Sequence, residues 1–331
     1  EGGNSPYEPG GDVNGNAEAV TPEIPGYMVV EAPADNAEAL AGCLNGKQGP
    51  IALKFVAGNT YKADMITVPA DITDLLLIGK EGQAKVTMKG LSVPERTLNK
   101  LTFQDLEIEG TDANTAICAA ELKEDAELTV KGCYIHGVKA VYGRGKALAQ
   151  KHSTDFSRLS SFTIDDSRIY NVECVFDYGV VLAVTLNNST LYNLSQIAFF
   201  SSKSNDTNDI KQCEPIKVTN CTLVDLKKNL VQTAGGYGYL TNYENNISIL
   251  AGDAHIAYGV KGANNSAYIF VIQNNIAATG SGIKIADFTN NGAIDDTKSR
   301  AEIFPNEDAG DGGKNFTPAD GITIGDPRWK K

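Results

Sequence analysis

A short run of aromatic and basic side chains is where this sequence could do chemistry. A buried, unpaired guanidinium is very costly, so Arg144 is expected to face outward. Strand alternation then turns Tyr142 outward as well. Phe176 and Tyr178 match Tyr142 and Arg144 when counted from a recurring corner, Phe200 matches Tyr178, and Tyr258 lies in a similar stretch further on. Flat rings cover the apolar faces of pyranoses and an arginine forks onto a carboxylate, so an outward row of this kind suits a sugar-binding groove. One residue argues for the opposite phase: this register points Asp177 inward. In that alternative the strands are shifted by one and some of the aromatics belong to the core.

Catalysis has thinner support. Eliminative cleavage of a uronate needs its carboxylate neutralised by Ca²⁺ or arginine and a base for the carbon-bound proton. Arg144, Lys151 and His152 are the candidates, with Lys146, Asp155 and Arg158 nearby in an insertion over 145–159. The competing reading is a solvated loop. His136 is expected on a surface, and His255 has no assigned role. The acidic groups Asp295, Asp296, Glu307, Asp308 and Asp311 could attract Ca²⁺ but lack regular ligand spacing. No metal site and no resident cofactor are expected. Gly235-Gly236-Tyr237-Gly238 reads as a turn and not a phosphate loop.

The elements that position these residues are repeats. Leu128–Ile135, Phe162–Ile169, Val184–Leu191 and Ile216–Leu223 share one pattern: apolar, polar, apolar, polar, a turn residue, a small residue, polar, apolar. A weaker copy lies at Leu101–Ile108, and shorter ones at Tyr243–Ile247 and Ile272–Ile276. The turn residues are Asp105, Gly132, Asp166, Asn188, Asn220, Asn245 and Asn274, spaced by 27, 34, 22, 32, 25 and 29. Period-two alternation marks short strands, and recurrence at this length marks stacked units. Asn, Asp and Gly tolerate a left-handed corner. Asn amides at stacked corners can bond from coil to coil.

Propeller blades need about 40–45 residues each, too long for these units. Sandwich hairpin signals are scarce inside the repeat, and leucine-rich repeats keep a steadier length. The expected fold is all-β: a right-handed single-stranded parallel β-helix with an N-terminal cap helix and an irregular C-terminal cap. Residues 27–50 are assigned to the cap, 51–286 to the coils and 287–331 to a C-terminal cover, all one domain. Ala34–Leu44 reads as the cap helix, with Asp35 or Asn36 starting it. After each third strand a further strand is expected, at 140–144, 175–179, 197–200, 230–233, 255–258 and 283–286, stacking as one parallel sheet.

With 331 residues and a net charge of −12, the chain is a poor partner for nucleic acid. No apolar run approaches the ~18–20 residues of a membrane span. Residues 1–26 are rich in Gly, Asn, Pro and Glu and read as a flexible linker after a removed export signal. A membrane contact is expected only through a lipid anchor outside this chain. The six cysteines show no metal-type pairing, and Cys133 and Cys221 share the repeat position of Ser167 and Ser189, so they read as small core residues. The Asn-x-Ser/Thr triplets at Asn188, Asn220 and Asn246 belong to the corner or the residue after it, which ties them to folding.

The opening coils carry a resemblance. A cap helix, the strand from Ile51, Gly58-Asn59-Thr60-Tyr61, Leu75-Leu76-Leu77-Ile78-Gly79 and Ala84–Met88 look like the start of the pectate-lyase-like β-helix superfamily. Ile324-Gly325-Asp326-Pro327-Arg328-Trp329 resembles the closing motif of exported β-helix lipoproteins from gut polysaccharide-degrading bacteria. The resemblance covers about residues 30–329. It implies an exported protein, at the cell's outer surface or in the periplasm, whose partner is a polysaccharide or oligosaccharide held on the sheet that carries Tyr142. It does not imply catalysis. The Arg-x-Pro-x-x-Arg of pectate lyases and the Asn-Thr-Asp, Gly-His-Gly and Arg-Ile-Lys of polygalacturonases are missing, Asp165-Asp166 sits at a corner, and Gly282-Ile283-Lys284 only echoes the last motif. Glycan binding without cleavage is therefore the leading expectation. A lyase, a hydrolase, and a structural or adhesive role are the alternatives.

Overall fold

A computed structural model describes residues 23–143, 157–177, 179–196, 200–201, 214–232, 241–251, 254, 257–258, 270–281, 291–309 and 314–330. They form a right-handed parallel β-helix of about eight turns. Among the described residues, the first sheet stacks ten strands, from Met28–Glu31 and Gly49–Val56 up to Thr241–Glu244 and Phe270–Gln273. The second also stacks ten, from Tyr61–Thr67 to Asn275–Ala278 and Ile294–Lys298. The third holds five short strands: Tyr142–Gly143, Phe176–Asp177, Phe200–Ser201, Val231–Gln232 and Ala257–Tyr258. These five fall where the repeat places them. The expected strand at 283–286 lies outside the described residues.

Like sits on like through the interior. Phe103, Val130, Ile164, Leu186, Val218, Tyr243 and Ile272 follow one another in register on the first sheet, all buried. Burying one such side chain fully is worth about 1.5–3 kcal/mol, so the column is a main source of cohesion.

All seven predicted corners adopt positive φ, from 45° at Asp166 to 65° at Gly132. Two ladders run up the corner. The outer one joins corner or pre-corner side chains: Asn188 Nδ2 donates to Asp165 Oδ1 (3.3 Å) and Asn220 Nδ2 to Asn187 Oδ1 (3.4 Å). The inner one uses the buried residue after the corner, whose amide is left over where the chain turns. Cys133 N donates to Ser167 Oγ (3.1 Å), Ser167 N to Ser189 Oγ (3.1 Å), Cys221 N to Asn246 Oδ1 (2.9 Å) and Asn246 N to Asn275 Oδ1 (2.9 Å). A buried amide must find a partner, so this position is filled by a small or polar side chain that reaches the coil below.

At the N-terminal end, Asn36 Oδ1 accepts from Ala39 N (2.9 Å) and starts a helix at Ala37–Ala41, shorter than expected. Its Leu40 joins Leu44 in the core. Tyr61 of the Gly-x-x-Tyr stretch is buried, and its hydroxyl accepts from Val56 N (2.9 Å) across the turn. Most of the expected linker lies outside the described residues. Glu23 is bound to the coils by Lys54 and Lys80, at 3.1 and 3.2 Å.

The C-terminal part is arranged differently from the expected cover beginning at 287. Ile294–Lys298 still belongs to the coils, pairing with Asn275–Ala278. Residues beyond it run back as a strap over the outer face of the second sheet. Ile303, Phe304, Phe316 and Ile324 pack there on Tyr170, Val224 and Ile247 and form a second apolar core outside the helix.

Candidate functional site

The third sheet corrects the phase of the aromatic row. Tyr142 is 2% exposed and Phe176 0%, and both join the interior. Their rings stack at 4.6 Å, and Phe162 lies 4.9 Å from Phe176. A bend precedes the first of these strands. Val141 N and Tyr142 N both donate to Val175 O, at 3.0 and 3.1 Å, and Val141 and Tyr142 are buried one after the other. Two successive inward residues leave the two-residue strand Tyr142–Gly143 no alternation from which its phase could be read. Phe200 is in register with Phe176 and so is not the match of Tyr178. Tyr258 pairs in register with Gln232. Arg144, Lys146, Lys151, His152, Asp155 and Tyr178 lie outside the described residues, as does His255.

With the phase reversed, Gly143 and Asp177 are the partly exposed residues, paired in register. They border a shallow groove of about 290 Å³. Its floor is small: Ala116, Ala140 and Cys174 form a separate buried cluster, and a Cβ on Gly143 would stand 3.5 Å from that of Ala116. Asn114, Thr115, Lys139 and Asp177 supply polar groups around it. Asp112 fixes that rim by accepting from Asn114 N (2.9 Å) and Thr115 Oγ1 (3.0 Å). The Asn114 amide, then the Thr115 hydroxyl, hold its carboxyl below the usual range. Burial pushes the Cys174 thiol up to about 12, so it is protonated at neutral pH and no nucleophile. The groove offers hydrogen-bond donors and acceptors of both charges over a floor without bulk.

The described end of the 145–159 insertion is tied to residues that do not line this groove. Ser157 N donates to Glu121 Oε1 (2.9 Å), and the buried Glu121 carboxylate also receives Arg96 (3.0 Å). Arg158 Nε binds Glu124 (3.0 Å). Glu121 shows no repeat signal in the sequence, because its role is to close an insertion.

On the second sheet, His136, Tyr170 and Tyr192 stand in register, and His136 is partly exposed, in line with the surface position expected of it. His136 Nε2 lies 3.0 Å from Glu107 Oε1, and its ring stacks on Tyr134. The strap covers Tyr170 further along. The closing motif is the strap's fastening. Asp326 is 1% exposed and takes hydrogen bonds from Thr190 Oγ1 (2.6 Å), Arg328 N (3.0 Å) and Arg328 Nε (2.6 Å). Its own amide donates to Thr222 Oγ1 (3.1 Å). Gly325 has φ of 90°, a conformation that strains any other residue, and a Cβ there would also crowd Ile247 Cδ1 at 2.9 Å.

Of the acidic C-terminal residues, Asp295, Glu307 and Asp308 face cations of the chain, and Asp311 lies outside the described residues. Asp295 receives Lys298 at 2.6 Å, and Arg300 forks onto Asp225 at 2.6 and 3.0 Å and also meets Glu307. Lys314 pairs with Asp308 at 2.5 Å. Among the described residues, no group of three or more His, Cys, Asp or Glu is gathered as a metal site. Comparison of the chain with protein-family models, with curated proteins and with solved structures finds no match.

Proposed function

We propose that this is an exported surface protein that binds a polysaccharide or oligosaccharide without cleaving it. The groove bordered by Gly143 and Asp177 carries this reading. Its residues come from three successive coils, around 114–116, 139–143 and 174–177. Parallel strands stack about 4.8 Å apart, close to the rise of one pyranose along an extended glycan. A glycan lying along the axis would meet a fresh set of polar groups with each sugar, while Ala116, Ala140 and Gly143 leave room for the ring. The likeness of the opening coils to the pectate-lyase-like superfamily supports the same partner class. The composition of residues 1–26 supports a tether at the cell surface.

The test is a panel of acidic and neutral polysaccharides, with and without Ca²⁺, read for both affinity and released products. Saturable binding without products, weakened at least tenfold by Lys139→Ala or Asp177→Ala, supports the proposal. Products from one substrate would instead make the protein a lyase or hydrolase, and Lys151 and His152 would be the next residues to replace. No binding across the panel would leave a structural or adhesive role. Protease shaving of intact cells tests the surface location.

A further inference from the structure

We propose that the C-terminal strap holds a second carbohydrate site, separate from the groove, that takes a neutral hexopyranose against Trp329. The strap encloses an open cavity of about 450 Å³, within the size range of small-ligand sites. Pro305, Pro318, Ile322 and Trp329 give it apolar walls, and Asn306 and Asp320 bring polar groups to the same space. A pyranose has this dual character: an apolar face of C–H groups and a rim of hydroxyls. An indole ring beside a carboxylate and an amide meets both.

Trp329 is also set in place before any ligand arrives. Its Nε1–H donates to Thr190 Oγ1 (2.8 Å), and Thr190 in turn donates to the buried Asp326. Phe316, a fully buried residue of the strap, meets it edge to face at 5.8 Å. Yet Trp329 keeps part of its surface exposed where it lines the cavity. Binding therefore costs little side-chain ordering. Packing alone does not call for this arrangement, because a fully covered side chain would stabilise the strap more.

Charge selects the sugar. Arg328, the nearest guanidinium in sequence, is held by Asp326 at 2.6 Å and Asp166 at 3.1 Å. Asp320 and Lys330 bring one charge of each sign to the lining. Nothing on this lining gives a uronate carboxylate a forked partner, and the chain as a whole carries −12. The cavity suits an uncharged ring.

The chain has one tryptophan, so its fluorescence reports this site alone. The full chain is titrated with glucose-, galactose- and mannose-based oligosaccharides, with a galacturonate oligosaccharide as the charged comparison. The expected result is a saturable change in emission with at least one neutral oligosaccharide. Asn306→Ala and Asp320→Ala, both exposed positions, should weaken it at least tenfold. Lys139→Ala in the groove should leave it unchanged. No change with any neutral oligosaccharide overturns the proposal, as does a response to galacturonate alone or one that survives the Asn306→Ala, Asp320→Ala double variant. Loss of one of two calorimetric binding phases in Lys139→Ala, with the fluorescence change intact, separates the groove from this site.

Discussion

Thr190 and Asp326 stand 136 positions apart in the chain and share a hydrogen bond of 2.6 Å. Thr190 lies on the second sheet, and Asp326 lies in the motif that ends the strap. The Thr190 hydroxyl accepts from Trp329 and donates to Asp326, while Arg328 closes over the same carboxylate. The strap's apolar residues supply adhesion without direction, and this polar knot sets its position. Arg300 on Asp225 is the second attachment.

Removing the carboxylate should release the strap. Asp326→Ala leaves Arg328, Thr190 and one backbone amide without their shared acceptor. Breaking a buried pair from one side costs about 3–5 kcal/mol. Urea unfolding should show that loss, and hydrogen exchange should show faster opening over 314–330 than over the first-sheet strands. Thr190→Val should cost less, about 1–3 kcal/mol, because Arg328 still satisfies the carboxylate.

The pH dependence of this knot has a definite sign. Burial, the largest influence, raises the Asp326 carboxyl above its ordinary value, against the lowering effects of Arg328 and Thr190. A group raised on folding contributes stability that is fully present below its unfolded value and is lost as pH rises through its folded value. The stability gap between the natural protein and Asp326→Asn should therefore be widest in acid and narrow towards neutrality. Asp295 behaves oppositely. Lys298, then Thr297, lower it to about 2. Its contribution is present above the unfolded carboxylate value and is lost as pH falls towards 2. Unfolding curves of Asp326→Asn and Asp295→Asn between pH 2 and 7 should diverge from the natural protein in opposite directions.

The corners were legible because each needs a left-handed backbone, and few residues tolerate one. Asn188 and Asn220 announce that requirement locally. The positions of the third-sheet strands followed from the same spacing. Their phase did not. Tyr142–Gly143 and Phe176–Asp177 are two-residue strands, too short for alternation to show, and the bend at Val141 adds a second inward residue. Asp177 was the one residue that signalled the true phase. The strap's path was invisible for another reason: contacts such as Thr190 with Asp326 leave no periodic trace. Only the cluster Gly325-Asp326-Pro327-Arg328-Trp329 hinted at a purpose.

The inner ladder makes its own prediction. Asn246 is 0% exposed, accepts from Cys221 N and donates Nδ2 to Val218 O (2.8 Å). Asn246→Ala strands one amide and one carbonyl, each costing about 1–3 kcal/mol. Serine and cysteine already alternate at this position, both turning back to the carbonyl two residues before: Ser189 Oγ to Asn187 O (2.7 Å) and Cys221 Sγ to Thr219 O (3.1 Å). Cys133→Ser should therefore unfold within about 1 kcal/mol of the natural protein, the net worth of one hydrogen bond. Cys133→Val removes the side chain's bond to the Lys131 carbonyl and should cost more. Chemical unfolding of the three variants checks the order.

Phe176 decides between a groove built of rings and one built of polar groups. Its ring lies between those of Tyr142 and Phe162 in the interior. Truncating such a residue to alanine costs about 3–5 kcal/mol, transfer and cavity terms together. Phe176→Leu should cost less and keep the fold. Glycan affinity should then be unchanged in Phe176→Leu and weakened in Lys139→Ala, whose stability should stay within about 0.5 kcal/mol of the natural protein because the site is on the surface. Stability and affinity measured on the same two variants give a crossed pattern if the groove is polar. If the rings made the site, Phe176→Leu would lose affinity and Lys139→Ala would not.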